Sequence, residues 1–241
     1  MYKEKLKQLI LDKLVTIPHG YNPEDFYPME QKEENKPFTF LFNKGLRNME
    51  DRGGGMYLIK AYLEEFTESN NVELILKINP AYGIPNLLKM FPGIKQNGVP
   101  KITFITEEYT VNQLNELYNS IDVFVSPTRA EAFNLPCLEA LACGKPVITT
   151  NYGGQTDFID NEVGALIDYK LTEITHEVEY EGINWATPNH EQLKKELRRI
   201  YTNGIYGFKE NCIKRASKYT WKNTAKQIYI LISQHLNTII N

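Results

Sequence analysis

The sequence predicts an α/β fold, a Rossmann-like parallel sheet with helices on both faces. Two observations lead there. Short apolar runs at 38–42, 72–78, 101–105, 121–126 and 147–150 alternate with stretches of helical periodicity, and alternating strands and helices build parallel sheets covered on both sides. Glycine and proline punctuate the boundaries, as at Gly144 after a helical stretch. Right-handed crossovers then arrange the units as one layered sheet.

Each element has its own signal. Leu6, Leu9, Ile10 and Leu14 stand near helical spacing, so 1–13 reads as a helix, and Leu14 to Ile17 as a short strand ending at Pro18. Residues 21–36, rich in Pro, Asn and Glu, read as a linker. Phe38 to Phe42 is a strand, 43–55 a polar loop with four glycines, Met56 to Phe66 a helix and Val72 to Ile78 a strand. The prolines and glycines of 79–100 predict loop with at most a short helix near Leu87. Lys101 to Ile105 and Ile121 to Ser126 are strands around a helix from Val111 to Ser120. A helix from Pro136 to Cys143 leads to a strand from Val147 to Thr150, and Ala165 to Ile167 is a further short strand. Three helices follow: His190 to Thr202, Lys209 to Lys218 and Trp221 to Asn237. The expected organisation is an N-terminal helix, strand and linker over 1–36, a Rossmann-like domain over 37–220, and a final helix over 221–241.

Composition narrows the classes. A 241-residue chain with 42% hydrophobic and 24% charged residues is ordinary for a globular protein. Its net charge of −3 and pI near 5.9 give no reason to expect nucleic acid. Cys137, Cys143 and Cys212 lack metal-ligand spacing and suggest a reducing compartment, so a cytoplasmic protein, peripheral to the membrane at most, is expected. No apolar run reaches the ~18 residues of a membrane span.

The stretch Glu131-Ala132-Phe133-Asn134-Leu135-Pro136-Cys137-Leu138-Glu139 lies between two apolar runs, with seven residues separating two carboxylates. In a strand–loop–helix unit Glu131 falls at the carboxyl end of a strand and Glu139 one turn into the next helix. Ligands of open α/β sheets bind at strand carboxyl ends, and carboxylates accept hydrogen bonds from sugar hydroxyls. On spacing alone, Glu139 is as well explained as an ordinary first-turn helix glutamate, and Glu131 as a solvated loop acid. Pro136 suits the first helical position, and the amides of Phe133, Asn134 and Leu135 precede a helix start, which is an anion site. Gly153 and Gly154 permit a close approach or a plain turn. Arg47 and Arg52 are either phosphate ligands or a solvated basic loop. His19, after Pro18, reads as structural, and Cys137 and Cys143 as buried thiols.

From Ile121 to Thr150 the chain resembles the signature of GT4-like retaining glycosyltransferases of the GT-B fold, whose pattern runs roughly D-hydrophobic-PS-x-x-E-G-F-G-L-P-x-L-E-A-M-A-x-G-x-P-V. Ile17-Pro18-His19-Gly20 resembles the segment opening that family's C-terminal domain. Asn151 to Gly154, Asn161 to Ala165 and Tyr219 to Trp221 resemble its following motifs. The resemblance spans roughly 15–235 and implies a hexosyltransferase-type enzyme binding a nucleotide-diphosphate sugar. Glu131 and Arg52 would be catalytic. Arg47, Phe133, Asn134, Leu135, Glu139, Gly153 and Gly154 would bind the donor, with no metal and no cofactor besides the donor itself. Three departures stand out. The family carries an N-terminal Rossmann domain before this segment, so the chain resembles the donor half, with an unknown acceptor and a partner domain or self-association to complete it. The alternative is a non-catalytic nucleotide-sugar-binding module needing a separate N-terminal domain. Counted from 58–61, the family's diphosphate-binding lysine falls on Gly53, beside Arg52; counted as Arg-x4-Arg, Arg47 pairs with Arg52; and the family's Gly in the acidic loop is Asn134.

Overall fold

The computed structural model describes residues 14–30, 36–46, 51–79, 86, 89, 91, 98–174 and 182–240, side chains of 235–240 excepted. Its centre is a six-stranded, all-parallel sheet of β1 (Phe38–Asn43), β2 (Val72–Lys77), β3 (Lys101–Ile105), β4 (Val123–Ser126), β5 (Val147–Thr150) and β6 (Gly164–Ile167). The spatial order is β3-β2-β1-β4-β5-β6. Helices α1 (Gly55–Glu65), α2 (Val111–Ser120), α3 (Leu135–Ala142), α4 (His190–Asn203), α5 (Phe208–Ala216) and α6 (Trp221–Ile240) complete the architecture.

Strand side chains alternate between faces, and the two cores follow that alternation. Phe40 and Phe42 of β1, Val123 and Val125 of β4 and Ile148 of β5 pack with Leu58 and Tyr62 of α1 and Leu193 and Leu197 of α4. Leu41, Phe124 and Val147 face the other way, against Tyr118 of α2, Leu138 and Leu141 of α3 and Cys212 and Ala216 of α5. Both faces are thus apolar, which is why these strands read as continuous apolar runs.

Three features differ from expectation. Residues 14–20 form no strand; Leu14 and Val15 are 66% and 59% exposed, and an apolar tetrapeptide without a neighbouring strand has no ladder to join. Tyr21 instead makes one parallel bridge with Thr220. A two-stranded antiparallel hairpin of β7 (Tyr169–Glu173) and β8 (Asn184–Pro188) lies outside the main sheet. All five β7 residues are exposed, so no core-facing alternation marks it. Gly154–Asp157 forms a short 3₁₀ helix that the sequence did not mark. The helix expected at 1–13, the short helix near Leu87 and Arg47 fall outside the described residues. Among the described residues no helix is long and apolar enough to cross a membrane.

Candidate functional site

Strand order reverses between β1 and β4: β2 and β3 extend from one side of this pair, β5 and β6 from the other. Such a switch point separates the two connecting loops at the carboxyl ends and opens a crevice there. The loops involved are 44–54 after β1 and 127–134 after β4, and they are tied together. The Arg129 and Thr128 backbone and hydroxyl donate to the Arg52 carbonyl at 2.8 and 3.1 Å. Gly54, at φ 76°, lies so near Pro127 that a Cβ would sit 1.9 Å from its carbonyl oxygen. One glycine of the Gly53-Gly54-Gly55 run therefore serves chain packing.

The two helix starts beside the crevice differ electrostatically. At α1 the buried Asp51 carboxylate accepts from the amides of Gly55 and Met56 at 3.2 and 3.4 Å. Burial pushes its carboxyl up to about 6, against the opposing pull of those amides. The anion-attracting end of α1 is thus already occupied by a side chain. At α3 the capping residue is Asn134, whose side chain makes no cap bond and whose backbone is left-handed at φ 73°, ψ 59°. Pro136 stands in the first turn, and the first amides of a helix have no partner within it. The end of α3 is the one left open to an anion.

Glu131 lies at this end and forms an ion pair with Lys44, the residue immediately after β1; both side chains are largely buried, at 18% and 12% exposure. Lys44 escapes a reading by motif because the matching position is Gly53. A Cβ placed on Gly53 would stand 3.5 Å from the Lys44 Cβ. The ammonium comes to that region from a different backbone position. Glu139, one turn into α3, is partly buried and accepts from the Tyr118 hydroxyl at 2.9 Å; that hydroxyl accepts from Asn43 Nδ2 at 3.2 Å. Burial raises the Glu139 carboxyl to about 7, the Tyr118 bond pulling the other way. Asn43 and Tyr118 also escaped the sequence reading. An aromatic at the buried end of a helix looks like core, and only the partner's identity shows otherwise.

The remaining residues divide. The Phe133 ring packs with His19 and Phe158 at 5.2 and 5.1 Å, so only its backbone faces the loop's function; His19 also lies 5.6 Å from Trp221. Leu135 packs on the second core. Gly153 and Gly154 lie against the acidic loop: a Cβ on Gly153 would stand 2.5 Å from the Glu131 carbonyl oxygen, and one on Gly154 1.9 Å from that of Ala132. Arg52 is exposed, its backbone carbonyl tying the two loops. The structure thus gathers Glu131, Phe133, Asn134, Leu135, Gly153 and Gly154 around one loop, with Glu139 one turn beyond. Cys137 and Cys143 are buried, and burial pushes both thiols up to about 12.

Fold and site are those of a Rossmann-like α/β domain with a polar crevice at its switch point. The sequence profile described as glycosyl transferases group 1 matches residues 93–219, over half of the chain, and the chain belongs to that family. It is similar to a probable sucrose-phosphate synthase of Thermosipho melanesiensis, 26% identical over 93% of this chain and 48% of that protein. Among solved structures, sucrose-phosphate synthase from Thermosynechococcus elongatus superposes with a TM-score of 0.66 at 22% identity, covering 92% of this chain and 52% of that one. The C-terminal domain of a glycosyl transferase group 1 family protein from Francisella tularensis gives 0.61 at 20% identity, over 83% of this chain and 97% of that one. At these identities the structural likeness shows the fold. The chain spans 48% of the Thermosipho melanesiensis protein and 53% of a glycosyltransferase of Methanocaldococcus jannaschii that it matches over 90% of its own length.

Proposed function

We propose that this chain is the donor-binding half of a retaining, GT4-like glycosyltransferase that takes a nucleotide-diphosphate sugar and passes the hexose to an acceptor. The observation that carries the reading is the open α3 helix start at the switch point, flanked by the Lys44–Glu131 ion pair on one side and Glu139 on the other. In this reading the diphosphate lies on the amides of 133–135, where the helix dipole favours negative charge. Glu131 faces the hexose and Glu139 the ribose. Arg52 and Lys44 neutralise the charge that develops on the diphosphate as the bond from the anomeric carbon breaks. The acceptor oxygen then bonds to that carbon on the face the diphosphate leaves, which retains configuration.

Calorimetry with UDP, GDP and their sugars tests this. Arg52→Ala and Lys44→Met should each weaken diphosphate binding by about 1.5–3 kcal/mol, the range for hydrogen bonds to charged groups. Glu139→Gln should weaken free nucleotide and nucleotide sugar alike, whereas Glu131→Gln should affect chiefly the sugar conjugate. Binding that ignores all four substitutions would remove the site from this crevice.

A second reading is supported by α6, where Ile228, Tyr229, Ile230 and Ile232 are 43%, 72%, 43% and 53% exposed. Apolar exposure of this kind suits a partner surface, and the chain would then bind a nucleotide sugar while depending on a separate domain for transfer. Rate gains in group transfer require the acceptor to be held against the donor. Sugar transfer by this chain alone at rates typical of full-length family enzymes would rule the second reading out.

A further inference from the structure

The Asn43–Tyr118–Glu139 chain has a direction. A phenolic hydroxyl has one proton to give. Asn43 Nδ2 can only donate, and it approaches the Tyr118 oxygen at 3.2 Å. The hydroxyl's proton therefore goes to Glu139 Oε2 at 2.9 Å, and Glu139 receives it as an acceptor. Tyr118 is fully buried in the second core, between the rings of Phe26 and Phe124 at 5.8 and 5.7 Å. Its hydroxyl is thus held in place by packing as well as by Asn43.

We infer that Tyr118, backed by Asn43, is a positioning residue for Glu139: it holds one carboxylate oxygen in place, so that the other accepts from a nucleotide hydroxyl. This rests on the donor-site reading above. The groups around Glu139 make the assignment specific. Two influences act on its carboxyl, burial raising it and the Tyr118 bond lowering it, and together they leave it at about 7. From its own helix come the Cys137 and Cys143 thiols, both neutral at physiological pH because burial pushes them up to about 12. From α2 comes Tyr118, whose own ionisation is pushed well above the usual tyrosine value, so it stays a donor. From the end of β1 comes the uncharged Asn43, while the adjacent Lys44 is paired with Glu131. Among these neighbours the Tyr118 hydroxyl is the one that lowers the Glu139 carboxyl, against the larger effect of burial.

The sign follows. A sugar hydroxyl donates to the carboxylate, so affinity for a nucleotide sugar should rise with pH through about 7. Removing the Tyr118 hydroxyl removes the lowering influence and moves that midpoint upward. UDP-glucose and GDP-glucose are suitable probes because their diphosphates do not titrate near neutrality. In the wild type, the probe that binds should show the rise. Glu139→Gln should abolish it. Tyr118→Phe should move the midpoint up by about one unit or more, lower affinity at pH 7 roughly fivefold or more, and recover it in part at pH 9. A ¹³C NMR titration of the Glu139 carboxyl in the ligand-free chain should show the same upward shift. A Tyr118→Phe protein with the wild-type midpoint in both measurements overturns the inference and leaves the donor site standing. A wild type that binds neither probe, or a pH profile that survives Glu139→Gln, overturns the donor-site reading and the inference with it. Should Tyr118→Phe fail to fold, Asn43→Ala replaces it: a shift in the same direction supports the inference, and an unchanged midpoint overturns it.

Discussion

Asn134 shows how much one residue in the acidic loop is asked to do. It is the one described non-glycine residue with positive φ, at 73°, and it is 3% exposed. Its Nδ2 donates to the Ser126 hydroxyl at 3.2 Å, which anchors the start of α3 to the end of β4, while its Oδ1 is buried without a hydrogen-bond partner. Left-handed backbone disfavours L side chains by roughly 1–2 kcal/mol, Asn less than most. Asn134→Gly should therefore stay within about 1 kcal/mol of wild type, because relief of strain and of the unsatisfied oxygen offsets the lost anchor. Asn134→Ala should destabilise by about 1–3 kcal/mol, since it keeps the strain and loses the bond. Urea denaturation of the two variants checks the order, and an alanine protein as stable as the glycine one would contradict it. Gly153 and Gly154 were legible as glycines that permit close approach. Which backbone approaches them, the carbonyls of Glu131 and Ala132, was not, because those contacts join residues about twenty positions apart.

At the level of elements, the same physics at two helix starts produces opposite outcomes. The N-terminus of α1 holds the carboxylate of Asp51, and that of α3 has no side-chain cap. Asp51→Ala should destabilise the protein by about 1–2 kcal/mol through loss of the cap. Asp51→Asn should do less harm near pH 7, because the neutral amide avoids the burial that raises the Asp51 carboxyl to about 6. Thermal melts at pH 7 measure both; equal losses would show that charge at this position matters more than capping. In the sequence the glycines before α1 read as part of a polar loop. The structure assigns Gly54 to contact with Pro127 and the helix end to Asp51. The β7–β8 hairpin was not legible, because an exposed ribbon leaves no apolar alternation to read.

Across the whole molecule, Asp51 and Glu139 give stability a common dependence on pH. Both carboxyls bind protons more tightly folded than unfolded, with folded values of about 6 and about 7 against ordinary values of 3.8 and 4.5. Where the folded state holds more protons, stability falls as pH rises. Their contribution is thus fully present below about pH 4 and lost by about pH 7. Glu139→Gln should flatten this decline and raise unfolding free energy at pH 8 by on the order of 1–3 kcal/mol. Denaturant titrations at pH 5 and 8 check it: a wild-type slope kept by the variant would show that Glu139 does not titrate in this range. A buried acid that weakens the fold at neutral pH is the pattern expected of a residue kept for binding rather than for stability.

By itself the sequence determined the parallel α/β class, the positions of the sheet's strands and most of its helices, and the acidic loop with its two glutamates. Those follow from local periodicity, caps and turn residues, each readable within about a dozen positions. The tertiary structure decided the rest. It set the strand order that makes β1 and β4 neighbours, and so brought Lys44 to Glu131 and Asn43 and Tyr118 to Glu139. It also left α3 rather than α1 with an open helix start. The physical reason is distance along the chain: an ion pair joining positions 44 and 131 leaves no periodic trace in either segment, and it exists only because the sheet's crossovers return both segments to one end of adjacent strands.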